Sequence, residues 1–321
     1  MFQIFTFWIL ITYATSFILQ PNDYKVELVQ AIFRHGDRTP TIYPTYPTDP
    51  YNASFYEPYG IGQLTNKGKQ RAYMIGAMLK KRYADFLGEI YKPDYVYAYS
   101  RDLDRNKMTL QLVLAGIFPP TLQLTWNEKI YWMPHPMYIN PNAFDFLSVI
   151  MKCSAYGKLW HQVINSSEIQ KKLKSHKDFL TYISKSSGFP TDFSTAIKLY
   201  SIIRSQMSLD LPLPDWCTNE VFEKLEELMT LQYSMLTYTN DMKKFVAGPI
   251  IKRFLNNLKS HKSKDNNKKI YLYSANDYSI AAFAQAHNFT VPIVDYGCTI
   301  IFEKLRGRDN QIYVRVRVFA Y

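Results

Sequence analysis

Hydrophobic positions in this chain alternate between two periods, one typical of strands and the other typical of helices. Short apolar runs predict strands at residues 26–33, 95–100, 269–274, 299–304 and 311–320. Between them, apolar residues recur every three or four positions and predict helices at 64–86, 105–115, 241–258 and 279–286. Strands that alternate with helices indicate an α/β sheet that contains parallel pairs.

The middle of the chain departs from this alternation. Helical patterns dominate residues 119–238, most clearly at 194–207 and 219–238, and no convincing strand is present there. We therefore predict an α/β fold with a central mixed, largely parallel sheet flanked by helices. Its core would comprise residues 24–118 and 239–321, and residues 119–238 would form an inserted, mostly helical cap domain.

Residues 39–62 carry five prolines and cannot form a regular helix or a central strand. Long irregular segments inside a domain are uncommon unless they serve function. The segment 39–62 closely follows the end of the first predicted strand, so we expect it to form part of the wall of a functional site.

The first 19 residues are apolar and uncharged, and polar residues follow them directly. This pattern predicts a secretory signal peptide at residues 1–19, with Ala14-Thr15-Ser16 as the cleavage site, although no Lys or Arg precedes the apolar run. The alternative is an N-terminal membrane anchor, for which the run is barely long enough. No other segment could span a bilayer, so we expect a soluble, secreted, extracellular protein.

Glycosylation sequons and cysteines bear on the expectation that the protein is secreted. Asn52, Asn165 and Asn288 each begin an Asn-x-Ser/Thr sequon, which agrees with export and glycosylation. The chain has three cysteines. In an oxidising compartment one pair of them should form a disulfide and one thiol should be left over. Their spacing does not fit a zinc site, and we expect neither a metal nor a cofactor.

The formal net charge of +11 raises the question of a nucleic-acid partner. The basic residues are scattered, and the one dense run, residues 259–269, is interleaved with Ser, Asn and Asp and predicts a solvated loop. The chain contains no nucleic-acid-binding motif, so we expect no such partner. A basic field would instead draw anionic substrates toward a cleft.

The densest chemistry follows the first predicted strand, in the segment Arg34–Pro40. Two arginines flank a histidine there, and the next residue is a glycine, which would let the backbone turn sharply. Guanidinium forks of this kind bind dianions such as phosphate. Arg105 follows the second predicted strand, and Asn276 and Asp277 follow the third. Because ligands of open α/β sheets bind beyond the carboxyl ends of the strands, we expect one shared pocket.

The motif Arg-His-Gly-x-Arg-x-Pro at 34–40 resembles that of the histidine acid phosphatases, most closely the prostatic-type and insect venom acid phosphatases. The resemblance spans nearly the whole mature chain. Its blocks lie at residues 34–40, 62–65 with the helix behind them, 100–105, 213–216 and 273–277.

The resemblance implies a two-step hydrolysis of phosphate monoesters. His35 would attack phosphorus to give a phosphohistidine, which water then cleaves. Arg34, Arg38 and Arg105 would hold the phosphate oxygens, and Asp277 would protonate the leaving alkoxide. The implied substrates are phosphomonoester small molecules or phosphoproteins. The family often forms dimers, so a homodimer is the expectation.

Two features depart from the family's pattern. The acidic residue is normally preceded by a second histidine that touches the phosphate, and this chain has Asn276 there. An amide can donate a hydrogen bond but carries no positive charge, and losing such a contact costs about 10²–10³-fold in rate by analogy with an oxyanion-hole donor. The family's cysteine-containing tail is also missing after Tyr321, so the chain is either naturally short or truncated. Cys153 resembles the tail's partner, which leaves Cys217–Cys298 as the implied disulfide.

Two classes of function follow. The first is a secreted acid phosphatase whose activity is reduced by Asn276. The alternative is a catalytically weak or inactive secreted binder of phosphate-bearing ligands, such as a venom or salivary component. Among the neighbouring acidic residues, we expect Asp37 to brace an arginine. Asp102 and Asp104 would either orient Arg105 or cap its helix, with capping favoured for Asp104.

Overall fold

The computed structural model describes residues 24–141, 145–148, 153–261, 263, 266–289 and 293–319. The predicted signal peptide lies outside these residues. The strands form one six-stranded sheet, and they are β1 (Tyr24–Arg34), β2 (Val96–Ser100), β3 (Tyr138–Ile139), β4 (Ile270–Ala275), β5 (Thr299–Gly307) and β6 (Ile312–Phe319). The helices are α1 (Asn66–Leu87), α2 (Asp104–Ile117), α3 (Ser154–Ile164), α4 (Ser167–Ser175), α5 (Lys177–Ser187), α6 (Phe193–Met207), α7 (Asn219–Leu236), α8 (Asn240–Val246), α9 (Gly248–Ser260) and α10 (Asp277–Ala286).

The sheet order is β3-β2-β4-β1-β5-β6. Strands β3, β2, β4 and β1 are parallel, whereas β5 runs antiparallel to β1 and forms a hairpin with β6. The predicted mixed, largely parallel α/β sheet is therefore confirmed. In register, Arg34 lies opposite Ala275 and Ser100 lies opposite Ser274. The three strand ends that carry the candidate chemistry are thus neighbours.

The two faces of β1 follow from its period of two. Val29, Ala31 and Phe33 pack into a hydrophobic cluster with residues of α1 and α2 on one face. Leu28 and Ile32 belong to a second cluster, on the other face, which also contains residues of α6, α7, α9 and α10. The sheet and the helices of 153–236 therefore share apolar packing. The division into core and cap domains stays a prediction.

Two elements differ from the sequence-based expectation. The single helix predicted at 241–258 is two helices, α8 and α9, and Pro249 lies in the first turn of α9. Proline lacks the N–H that a continuous helix needs and its ring clashes with the preceding turn, so it begins a new helix here. The second difference is β3, a two-residue strand within the expected helical cap, which is too short to produce a period. Among the described helices, none is long and apolar enough to cross a membrane.

The predicted disulfide is not formed, because all three cysteines are free thiols in the structure. Cys217 lies near Tyr46, ahead of α7. Cys298 instead precedes β5, where its carbonyl oxygen accepts the N–H of Arg34 at 2.9 Å. Burial raises the pKa of Cys217 to about 11 and that of Cys298 to about 12. Burial therefore favours the protonated form of both thiols near neutral pH.

Candidate active site

A pocket of about 270 Å³ lies beyond the carboxyl ends of β1, β2 and β4. Its lining includes five arginines, namely Arg34, Arg38, Arg101, Arg105 and Arg204. Asn276 and Asp277 contribute from the end of β4 and the start of α10. The structure thus brings together the arginines and the two β4-end residues that the sequence placed in one site. His35 is not among the residues that line the pocket; it is only 2% exposed and contacts the lining through Arg105.

The imidazole of His35 is held in one tautomer. Its Nδ1 lies 2.8 Å from the carbonyl oxygen of Gly36. A carbonyl can only accept, so Nδ1 carries the hydrogen and Nε2 keeps its lone pair. Nε2 lies 3.3 Å from Nε of Arg105, which donates to it. Burial and the positive charges of Arg105, Arg34 and Arg38 hold the pKa of His35 well below its ordinary value. The ring is therefore neutral at mildly acid pH.

The glycine after His35 is required for close packing and not for a sharp turn. Gly36 does not adopt the left-handed backbone conformation, but a Cβ added to it would lie 2.2 Å from the carbonyl oxygen of Gly68 in α1. Asp37 then forms an ion pair with Nε of Arg71 at 2.5 Å, as expected for a bracing carboxylate. These two contacts fix the His35 segment against the first turns of α1.

Arg34 is fixed from three sides. Its Nη1 donates to the carbonyl oxygen of Val294 at 2.5 Å, and its Nη2 lies 3.6 Å from Oδ2 of Asp277. The guanidinium also lies over the ring of Tyr296, 4.1 Å from the centroid, which is a favourable cation–π geometry. Burial opposes the charge of Arg34, but Asp277 and neighbouring tyrosines hold its pKa above the ordinary value. Arg34 is therefore a permanent cation in the pocket wall.

Arg38 reaches across to the helical segment. Its guanidinium donates to the hydroxyls of Ser205 at 2.7 Å and Ser201 at 3.0 Å, both on α6. These partners are neutral, so the charge of Arg38 is oriented without being neutralised.

Arg105 lies in the first turn of α2. Burial and then the charges of Arg38 and Arg101 lower its pKa to about 10, which still leaves it charged at acid pH. The expectation that Asp104 caps this helix is wrong. Helix α2 begins at Asp104 itself, Leu103 occupies the N-cap position without a side-chain bond, and Asp104 pairs with Lys107 at 3.1 Å.

Asp277 is the first residue of α10, where the helix dipole favours a carboxylate. Its Oδ2 accepts a hydrogen bond from the hydroxyl of Tyr233 at 3.1 Å, and its Oδ1 accepts the N–H of Tyr278 at 3.0 Å. Burial and Asp277 raise the pKa of Tyr233 well above its ordinary value, so that hydroxyl always donates. Asn276 precedes Asp277 in the chain. Oδ1 of Asn276 is buried without a hydrogen-bond partner among the described residues.

Sequence reasoning missed several residues of the pocket wall, among them Tyr296, Arg204 and Arg101. Tyr296 comes from the loop before β5, and Arg204 comes from α6, where it pairs with Asp295. No local pattern marks either position. Arg101 follows β2 directly, and the alternation of Tyr97 and Tyr99 could have placed it on the pocket face.

Comparison with known proteins agrees with this geometry. The histidine phosphatase superfamily (branch 2) matches residues 25–318, so the chain belongs to this superfamily. Prostatic acid phosphatase of Homo sapiens is 33% identical over 269 residues, which cover 82% of this chain and 69% of that protein. Venom acid phosphatase Acph-1 of Apis mellifera is 33% identical over 302 residues, covering 91% of this chain and 76% of that protein. The chain is an acid phosphatase.

A solved structure shows the same fold at lower sequence identity. Hafnia alvei phytase in complex with tartrate superimposes with a TM-score of 0.73 and 17% identity, covering 93% of this chain and 85% of that chain. The α/β fold with a helical segment is therefore shared with proteins of distant sequence.

Proposed function

We propose that this chain hydrolyses phosphate monoesters through a phosphohistidine formed on Nε2 of His35. The observation that carries the proposal is the state of that ring. It is neutral, its Nδ1–H is held by the carbonyl of Gly36, and its Nε2 lone pair lies beside the guanidinium of Arg105. A neutral imidazole next to fixed cations is suited to attack an anionic phosphoryl group, because the cations offset the charge repulsion.

In the first step the lone pair of Nε2 forms a bond to phosphorus while the bond from phosphorus to the ester oxygen breaks. Arg34, Arg38 and Arg105 bind the non-bridging oxygens throughout and stabilise the charge of the transition state. In the second step a water oxygen attacks phosphorus, the bond from phosphorus to Nε2 breaks, and inorganic phosphate leaves. The imidazole then returns to its starting tautomer.

Asp277 is the proposed proton donor for the departing oxygen. It lines the pocket, and its carboxyl group is positioned by Tyr233 and by Nη2 of Arg34. After giving its proton to the alcohol, the carboxylate can take one from the attacking water in the second step. One residue thus serves both steps.

The first test is an assay of the mature chain on a chromogenic aryl phosphate between mildly acid and neutral pH. We expect turnover that is lost in His35→Ala. Activity no greater than that of His35→Ala would refute the proposal. Circular dichroism of both proteins controls for folding.

Asn276 favours a second candidate function, a secreted protein that binds phosphate-bearing ligands with little turnover. Its side chain lacks the positive charge that the family's histidine would bring to the phosphate. This candidate predicts tight binding of tungstate, negligible turnover and turnover restored in Asn276→His. A wild-type rate already near that of Asn276→His would exclude it.

We further propose that the protein is exported and glycosylated. We also propose that Asn276 makes its phosphatase activity lower than it would be with a histidine at that position. Asn52, Asn165 and Asn288 are all exposed, as a glycan requires. The relatives' names include prostatic, venom and lysosomal acid phosphatases, which belong to different compartments. Expression in a eukaryotic secretory host should yield medium-borne protein whose mass falls on deglycosylation; protein retained in the cytosol without glycans would contradict this. The homodimer stays a prediction.

A further inference from the structure

The pocket contains two arginines that the proposed mechanism does not use, Arg101 and Arg204, and of these Arg204 is already paired with Asp295. Resting on that mechanism, we infer that Arg101 is a fourth phosphate-binding arginine, which replaces the positive charge missing at Asn276. It contacts a non-bridging oxygen of the phosphoryl group during transfer. Arg101 therefore offsets part of the loss in rate expected from Asn276, so that activity does not require a histidine at position 276.

The position of Arg101 follows from the sheet. Strands β2 and β4 are parallel neighbours with Ser100 opposite Ser274, and the N–H of Arg101 donates to the carbonyl oxygen of Ser274 at 3.2 Å. Arg101 therefore stands beside Ala275, one residue before Asn276. Tyr99 packs on the sheet face that carries the helices of 153–236, and the period of two directs Arg101 to this same face. Both Arg101 and Asn276 line the pocket.

Arg101 differs from the other pocket arginines in having no fixed partner. Arg34 pairs with Asp277, Arg38 donates to two serines, and Arg204 pairs with Asp295. Among the described residues, no side chain forms a hydrogen bond or ion pair with the guanidinium of Arg101. A half-buried guanidinium with unused donors is a binding group for an anion.

The electrostatic surroundings point to the reaction centre. Burial lowers the pKa of Arg101, and Asp145 and Asp277 only partly offset this. Arg101 in turn lowers the pKa of Arg105, so the two guanidiniums repel each other. An oxyanion bound between them would relieve this repulsion. Arg105 is also the donor to Nε2 of His35, which brings that oxyanion next to the proposed nucleophile.

The test is a double-mutant cycle on kcat/KM for p-nitrophenyl phosphate, with wild type, Arg101→Gln, Asn276→His and the double variant. We expect Arg101→Gln to lose about 10²-fold, as for removal of one transition-state donor. In the Asn276→His background the loss should shrink to about tenfold or less, because histidine then supplies the charge. Arg82→Gln, an exposed arginine on α1, is the matched control and should stay within about twofold of wild type.

Two outcomes of the cycle on p-nitrophenyl phosphate would overturn the inference. One is a kcat/KM of Arg101→Gln within about threefold of wild type, and the other is an equal loss in both backgrounds. A loss seen only with substrates that carry a second anionic group would also overturn it, since Arg101 would then bind the leaving group.

Two further measurements separate this inference from other causes. Arg101→Lys keeps the charge and should retain more activity than Arg101→Gln, although it loses the guanidinium fork. If Arg101 instead acts only structurally, through the charge attraction of Asp145, Arg101→Gln will lower the unfolding midpoint and leave kcat/KM unchanged, which would overturn the inference. The proposed mechanism is judged separately, because its failure would leave the wild type no more active than His35→Ala.

Discussion

Asp277→Asn is the substitution that best separates proton donation from phosphate binding. The amide keeps the shape of the carboxyl group and can still accept from Tyr233, but it has no proton to give to a departing oxygen. If Asp277 is the general acid, the damage must depend on the leaving group. An alkoxide needs the proton, whereas a nitrophenolate leaves readily without it.

The magnitude follows from the contacts. Loss of a positioned general acid costs about 10²–10⁴-fold, so kcat for an alkyl phosphate such as glycerol 2-phosphate should fall by that factor. For p-nitrophenyl phosphate the fall should be about tenfold or less. The substitution also removes the anion 3.6 Å from Nη2 of Arg34, a guanidinium whose side chain is 5% exposed. Arg34 keeps Val294 and Tyr296, so we expect the unfolding free energy to fall by about 1–3 kcal/mol, below the cost of fully orphaning a buried charge.

The assay compares both substrates for wild type, Asp277→Asn and Tyr233→Phe at mildly acid pH. Tyr233→Phe removes one hydrogen bond to the carboxylate and leaves its proton chemistry intact, so about fivefold loss on either substrate is expected. Equal losses on the two substrates in Asp277→Asn would refute its role as proton donor. Urea unfolding of each variant supplies the stability control.

The remaining predictions concern pH and packing. Arg105→Gln removes a cation that lowers the pKa of His35, so the pKa of His35 should rise in this variant. Because only the neutral ring attacks, the acid limb of the plot of kcat/KM against pH should move to higher pH. Gly36→Ala should lose about 1–3 kcal/mol of stability by denaturant unfolding, while Gly157→Ala, in open space on α3, should be neutral or slightly stabilising. Glu303 is buried, yet Arg315, Tyr83 and Arg317 hold its pKa below the ordinary value. The ionised Glu303 therefore stabilises the folded state above its unfolded pKa, and this contribution is lost as the pH falls through its lower folded pKa. We expect Glu303→Gln to lower the free energy of unfolding by about 3–5 kcal/mol at neutral pH and by less in acid.

Much of this architecture could be predicted from the sequence because local periodicity encodes it. The strands ending at Arg34, Ser100 and Ala275 have strong apolar patterns, and parallel order places their carboxyl ends side by side. Convergence of the charged residues that follow them is then a consequence of topology. The tight Gly36–Gly68 contact was not foreseen, because sequence shows a glycine but not which backbone approaches it.

What could not be predicted depends on packing between distant segments. Arg204 and Tyr296 reach the pocket from α6 and from the loop before β5, and neither position has a local signal. The same holds for Cys217 and Cys298. Their pairing was carried by resemblance alone, whereas in the structure both are buried in the same hydrophobic cluster and remain free thiols. Polar side chains at strand ends were easier to place than contacts made by helices of the insert.

The phosphohistidine is the central claim, and it can be trapped directly. The enzyme is mixed with a fast aryl phosphate, quenched within milliseconds in alkali, where phosphohistidine survives, and digested for mass spectrometry. The account predicts one added phosphoryl group on His35, in the peptide that contains residues 34–38, and none in His35→Ala. An active wild-type enzyme that shows no phosphorylated His35 at any quench time, or that carries the phosphoryl group on another residue, would contradict it.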